Sequence, residues 1–210
     1  LQRESLIAGL KALNIVPSED VLYAFEVYLN ELLRWNKAYN LTAITNEQDI
    51  INKHFLDSLL IVNLLPREPL KLCDIGSGAG FPGVPVAIVR PDIKVVLLEP
   101  SRKRAQFLYH IRHKLGLSSV EVIQRRVEDL DGISFDVITT RALFAPKELY
   151  EKSRRLLSPK GTFVLSLGQR AFNEFIKAKD LCCRYNVTET YIPNTEIKRL
   201  LVVFEPNSRV

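Results

Sequence analysis

Gly76, Gly78 and Gly80 stand in a GxGxG spacing between two apolar runs, 70–75 and 84–89. Glycine at such positions lets the backbone turn with positive φ and lets a ligand lie close against it. The first run has strand length, and the second opens a helix whose N-terminus offers unpaired N–H groups and a partial positive charge. Residues 94–98 form another apolar run that ends in Glu99, 23 residues after Gly76. A carboxylate at the tip of a second strand can accept hydrogen bonds from both hydroxyls of a ribose. Asp74, just ahead of the turn, is placed to meet a cationic group on the same ligand, and Phe81 closes the turn. The spacing departs from the GxGxxG of dinucleotide enzymes. No Lys-Ser or Lys-Thr follows it, which excludes a phosphate-binding P-loop.

Two further strand ends carry polar groups. Arg126-Val127-Glu128-Asp129 follows the third expected strand, where the backbone of Val127 and the acid Glu128 can meet an adenine ring. Thr139-Thr140-Arg141 ends the fourth, the position where open α/β folds put working side chains. Arg141 is the charged group expected nearest to both ligands; its other reading is an ion pair with Asp74 or Glu128. His54, Asp57 and Ser58 share a helix face and resemble a hydrolase triad on paper, but no GxSxG elbow accompanies them. They are expected to clamp a helix or loop, or to stand beside the site. Three His do not form a ligand set, so no metal is expected. Cys73 should point away from the pocket. Cys182 and Cys183, expected in a late helix, complete a set of three cysteines with neither a disulfide framework nor zinc spacing.

These groups need a sheet to hold them. Strands are expected at 70–75, 93–98, 120–124, 135–140 and 162–167, with helices after the first, second, fourth and fifth. That is the rhythm of a mostly parallel, doubly wound α/β sheet. Ser101 is placed to cap the helix after Glu99, which Gly116 ends. Leu149, Leu156 and Leu157 line a further helix, and Ser158-Pro159-Lys160-Gly161 reads as a turn. Alternating apolar residues at 185–191 and a run at 200–204 predict an antiparallel hairpin around residues 193–197. Residues 1–65 read as helical throughout. Leu6, Leu10 and Leu13 mark a first helix, Ser18 caps a second, and Thr45 with Gln48 forms a capping box for a third. The expected division is a helical extension, 1–65, packed on a catalytic domain, 66–210. Trp35 is expected to be a core or interface ring.

Hydrophobic residues make up 47% of the 210, enough for a substantial core, and the net charge of +5 tilts toward an anionic partner. The excess is local: Arg102, Lys103, Arg104, Arg112, Lys114, Arg125 and Arg126 fall in a stretch that holds a single acid, Glu121. A basic face of this kind can grip a phosphate backbone, with Lys37 and Arg199 as outlying candidates. No apolar run reaches membrane-spanning length, so a cytoplasmic protein is expected. The sequence has no Met and opens on Leu1, so residues are expected to precede it.

A nucleoside with a charged tail, without dinucleotide or metal chemistry, points to S-adenosylmethionine. Methyl transfer to guanine N7 asks for no general base, because N7 already carries a lone pair; catalysis is then alignment and exclusion of water. Methylation of cytosine carbon-5 would need a Cys nucleophile at a strand end. Amino-group acceptors go with an Asn/Asp-Pro-Pro-aromatic loop, where this chain has Thr140-Arg141-Ala142-Leu143.

Over essentially its full length the chain resembles the bacterial small-subunit ribosomal RNA guanine-N7 methyltransferases, the RsmG or GidB family. The matching pieces are Trp35-Asn36 with Asn40-Leu41-Thr42-Ala43-Ile44, His54-Phe55-Leu56-Asp57-Ser58-Leu59, and Asp74 through Gly83. They continue with Leu98-Glu99-Pro100, Lys103-Arg104, Phe107-Leu108, Arg126 through Asp129, Phe135-Asp136-Val137 and Thr140-Arg141-Ala142. The resemblance implies a class I, Rossmann-like methyltransferase with a seven-stranded, mostly parallel sheet, a C-terminal antiparallel hairpin and a helical N-terminal extension. It implies formation of 7-methylguanosine in the 530 loop of 16S ribosomal RNA, on naked RNA or a small ribosomal subunit; a monomer is expected. Carried over residue by residue, Gly76, Gly78, Gly80, Glu99, Val127, Glu128 and Arg141 fall on the cofactor side. Asn40, Thr42 and His54 fall near the entrance. The chain departs from the family's usual Ala at Val127, Ser at Thr140, Pro-Gly-Gly at Pro159-Lys160-Gly161 and Lys-Gly at Leu167-Gly168. The last departure removes a charge available to substrate phosphate. An enzyme for another RNA site, or an RNA-binding protein with a vestigial cofactor site, are the alternatives.

Overall fold

The computed structural model describes residues 2–141, 145–177 and 182–206; Ala142 and Leu143 of the stretch weighed above lie outside them. Five parallel strands build most of one sheet: β1 (Lys71–Ile75), β2 (Lys94–Leu98), β3 (Val120–Ile123), β4 (Phe135–Thr139) and β5 (Leu157–Leu167). A C-terminal hairpin, β6 (Cys182–Tyr191) and β7 (Lys198–Pro206), adds two antiparallel strands, and the spatial order is β3-β2-β1-β4-β5-β7-β6. The order in which strands are added reverses at β1: β2 and β3 lie to one side of it, and β4 and β5 to the other. Such a switch point opens a crevice at the carboxyl ends of the strands, and the glycine turn after Ile75 lies there.

Alternation along the strands sorts the core into two clusters. Leu72, Val95, Leu97, Val120, Val137, Val164 and Leu201 face one side, packed with residues of α5 (Gly83–Val89) and α6 (Arg102–Lys114). Cys73, Ile75, Val96, Leu98, Ile138, Phe163, Leu165 and Phe204 face the other, under α7 (Pro146–Ser153) and α8 (Gln169–Lys177). Both faces are covered, so the inner strands read as continuous apolar runs rather than alternating ones.

The chain before β1 folds onto the first face. Helices α1 (Arg3–Ala12) and α2 (Glu19–Tyr39) lead to α3 (Glu47–Ile50), which continues through a π-helical turn, Ile51–Leu56, into α4 (Asp57–Leu59). Leu6, Phe25, Leu29, Phe55 and Leu59 join the same buried cluster as α5 and α6. Each such side chain contributes about 1.5–3 kcal/mol when fully buried, so the extension is welded to the sheet. Trp35 packs edge-on against Phe107 at 5.6 Å and beside His110 at 5.1 Å, fastening α2 to α6.

Several local expectations are revised. Asn46, not Thr45, caps α3, its Oδ1 accepting from the Asp49 amide at 3.1 Å. Ser101 precedes α6 but makes no side-chain cap; its own amide donates to Glu99 instead. Ser158-Pro159-Lys160-Gly161 lies inside β5 as an irregularity: Leu157 pairs with Phe135 and Thr162 with Val137. Pairing with β4 on both sides overrides the local turn preference. Leu157 accordingly belongs to the strand, with α7 ending at Ser153. Cys182 and Cys183 begin β6 rather than lying in a helix. Leu167 is buried in the second cluster and pairs with Leu200 of β7.

Candidate cofactor and substrate site

The glycine turn is shaped by φ of 68° at Gly76, 59° at Gly78 and 101° at Gly80, a region that disfavours residues with a Cβ. Gly80 is doubly required, because a Cβ there would come within 2.7 Å of the Tyr28 hydroxyl and 2.6 Å of Val84 Cγ2. That hydroxyl donates to the Ala79 carbonyl at 2.6 Å, a buried tie from α2 that the sequence did not reveal.

Glu99 fixes the turn from below. Its Oε2 accepts from the Gly78 amide and its Oε1 from the Ser101 amide, both at 2.8 Å, and the residue is 2% exposed. A carboxylate has about four acceptor positions, so lone pairs remain after two backbone bonds. Asp74 is fully buried, and its Oδ2 accepts from the Gly83 amide at the start of α5 at 2.9 Å. Its Oδ1 has no partner among the described residues. Burial is the main reason that its carboxyl pKa rises to about 7, against the bond from Gly83.

Two hollows adjoin at Gly76. One, of about 160 Å³, is lined by Ile75, Leu98, Pro100, Val127 and Glu128, with Arg125, Arg126 and Lys152 at its rim. Val127 is buried, and the carbonyls of Val127 and Glu128 accept from Arg155 Nη2 at 2.9 and 3.0 Å. The Glu128 carboxylate pairs with Lys152 Nζ at 2.7 Å, which lowers its pKa. The other hollow, of about 190 Å³, is polar: Thr42, His54, Gly76, Ser77, Gly78, Phe81, Arg104 and Arg141 surround it.

Arg141 reaches this second hollow from the end of β4, but its partners are not Asp74 or Glu128. It donates to the Lys53 carbonyl at 2.9 Å and to His54 Nδ1 at 2.7 Å, and lies 3.9 Å from Asp57. Its guanidinium sits 4.8 Å over the Phe81 ring, which also stacks on His54 at 4.5 Å. Burial lowers the Arg141 pKa, against the pull of Asp57. The same burial, with Arg141 alongside, pushes His54 down to about 3, so its imidazole is neutral. The π-helical turn that holds His54 widens the helix where Lys53 must present its carbonyl to Arg141; such turns recur at functional sites.

The proposed RNA-facing residues divide. Arg102, Lys103, Lys37 and Asn40 are exposed, and Arg104 is exposed while lining the polar hollow. Three cations in the first turn of α6, with no acid among them, oppose the helix dipole. Arg199 instead forms a forked pair with Asp57, Nε to Oδ1 at 2.9 Å and Nη2 to Oδ2 at 3.0 Å. Asp57, 142 residues away in the chain, is the buried anion that both arginines share. No group of His, Cys, Asp and Glu among the described residues could hold a metal ion.

This sheet order, with a glycine turn and an acid-tipped second strand at the switch point, defines a class I methyltransferase. Solved structures share the fold: a methyltransferase from Pyrococcus furiosus superposes with a TM-score of 0.60 at 15% identity, over 86% of this chain and 98% of that one. TYW2 of M. jannaschii, solved in complex with AdoMet, superposes at 0.54 and 16% identity, over 78% and 79% of the two chains. The family model for rRNA small subunit methyltransferase G, GidB, matches residues 22–202. Ribosomal RNA small subunit methyltransferase G of Polynucleobacter asymbioticus is 35% identical over 97% of this chain and 96% of its own. The chain belongs to that family, and S-adenosylmethionine is its cofactor. The residues fit such a group: Asp74 Oδ1 is a buried acceptor left open, and the apolar hollow runs up to Gly76 of the glycine turn.

Proposed function

We propose that the chain methylates N7 of a guanine in the 530 loop of 16S ribosomal RNA by in-line displacement, without a general base. S-adenosylmethionine supplies, when bound, a methyl group on a positively charged sulfur. The apolar hollow beside Val127 and Leu98 suits an adenine ring, and Asp74 with the glycine turn suits the amino-acid end. The observation that carries the choice of acceptor is that, among the described residues, no available base stands around the polar hollow. His54, neutral down to about pH 3, already accepts from Arg141 through Nδ1 and bonds Thr42 through Nε2. An acceptor that must lose a proton would find no group among the described residues of this hollow to take it. N7 of guanine needs none. Arg141 therefore acts by orientation: it holds His54 and Phe81 in the wall, and Asp57, 3.9 Å away, offsets its charge beside a base that becomes cationic.

Lys37, Asn40, Thr42, Arg102, Lys103 and Arg104 form the RNA-facing rim in this reading, with Arg199 supporting it through Asp57. The substrate is 16S ribosomal RNA, alone or within a small ribosomal subunit, met in the cytoplasm by a monomer. Residues 1–65 act as an extension that supplies one wall, and 66–210 as the catalytic domain. No helix among the described residues is long and apolar enough to cross a membrane. The test is labelled S-adenosylmethionine with 16S RNA from a strain lacking the modification. Label recovered as 7-methylguanosine at one 530-loop guanine is expected; label on another atom refutes the acceptor, and binding without transfer refutes the enzyme.

A further inference from the structure

Arg141, His54 and Thr42 form a hydrogen-bonded chain whose direction is determined. Guanidinium can only donate, so the 2.7 Å contact of Arg141 Nη2 makes His54 Nδ1 an acceptor. The neutral ring then carries its proton on Nε2, and that N–H donates to Thr42 Oγ1 at 2.7 Å. A second donor, the Ile44 amide, reaches the same oxygen at 3.1 Å. Both lone pairs of the hydroxyl are thereby taken, and its own proton is left to donate. Among the described residues it meets no acceptor, and Thr42 lines the polar hollow.

The backbone of Thr42 is held as firmly. Asn36, buried on the last turn of α2, donates from Nδ2 to the Thr42 carbonyl at 2.9 Å and accepts the Thr42 amide on Oδ1 at 2.8 Å. The hydroxyl is thus a pre-oriented donor facing the compartment opposite the cofactor's apolar hollow.

We propose that Thr42 donates to O6 of the target base and so selects guanine over adenine, with Asn36, His54 and Arg141 as its positioning residues. The inference rests on the N7 reading of the site. In that edge of a purine, guanine offers acceptors at both N7 and O6, whereas adenine presents a donor in place of O6. A hydroxyl whose only free valence is its proton bonds the first and opposes the second.

The test pairs a protein change with a base change. 16S RNA is assembled by ligation with either guanosine or 2-aminopurine riboside at the methylated position; the latter keeps N7 and lacks O6. Wild type should show kcat/KM about 10–100-fold higher on guanosine. Thr42→Val should lose that preference mainly by slowing on guanosine, while its affinity for S-adenosylmethionine stays within about twofold. Thr42→Ser should restore the preference, which a merely structural role for the methyl-bearing side chain would not predict. If Thr42→Val and wild type discriminate equally, the proposal fails while N7 methylation stands. If wild type makes no 7-methylguanosine on the guanosine RNA, the reading of the site fails and takes the proposal with it.

Discussion

Replacing His54 by Gln should change how the fold answers to acid. A histidine in the unfolded chain titrates near its ordinary value of 6.5, whereas folded His54 is held at about 3. The unfolded state therefore binds the extra proton first, and stability from this residue is complete above pH 6.5. It declines as the pH falls from there toward 3. Between pH 7 and pH 5 the loss is about 2 kcal/mol. Asp74 works in the opposite sense: raised from 3.8 to about 7, its carboxyl is protonated in the fold while still ionised in the unfolded chain. Its contribution is complete below pH 3.8 and is lost as the pH rises through 7, so acidification from pH 7 to 5 returns about 2 kcal/mol. The two cancel in the wild type over this window. Urea unfolding at pH 7, 6 and 5 should show His54→Gln gaining about 2 kcal/mol relative to wild type on acidification, and Asp74→Asn losing about as much. Curves that stay parallel to wild type within about 0.5 kcal/mol would mean that folded His54 and Asp74 titrate normally, and would refute the burial argument.

Other perturbations isolate other parts of the site. Glu99→Ala removes the acceptor for two backbone amides, and calorimetry should show S-adenosylmethionine binding weakened ~10–100-fold. Tyr28→Phe orphans the buried Ala79 carbonyl; a cost of about 1–3 kcal/mol in denaturant unfolding is expected, with weaker cofactor binding following from a looser turn. Neutralising Arg102 and Lys103 with Gln should reduce the salt slope of RNA binding by up to about 2, leaving cofactor affinity unchanged. An unchanged slope would place the RNA on another surface.

What the linear chain determined by itself is local. The apolar runs at 70–75 and 94–98, the glycines between them and Glu99 lie within 30 residues of one another, and each follows from backbone sterics and hydrophobic burial that neighbouring residues decide. The parallel sheet with its terminal hairpin was legible for the same reason. Where local preference met a sheet partner, the partner won, as at Ser158-Pro159-Lys160-Gly161 within β5. Only the tertiary structure could show that Arg141 turns from Asp74 toward His54, that Asp57 takes Arg199 into the wall, or that Tyr28 holds the glycine turn. Those partners lie 51 to 142 residues apart, and no spacing rule connects them. The direction of each hydrogen bond, and with it the free proton on Thr42, depends on which donor packing brings to which lone pair.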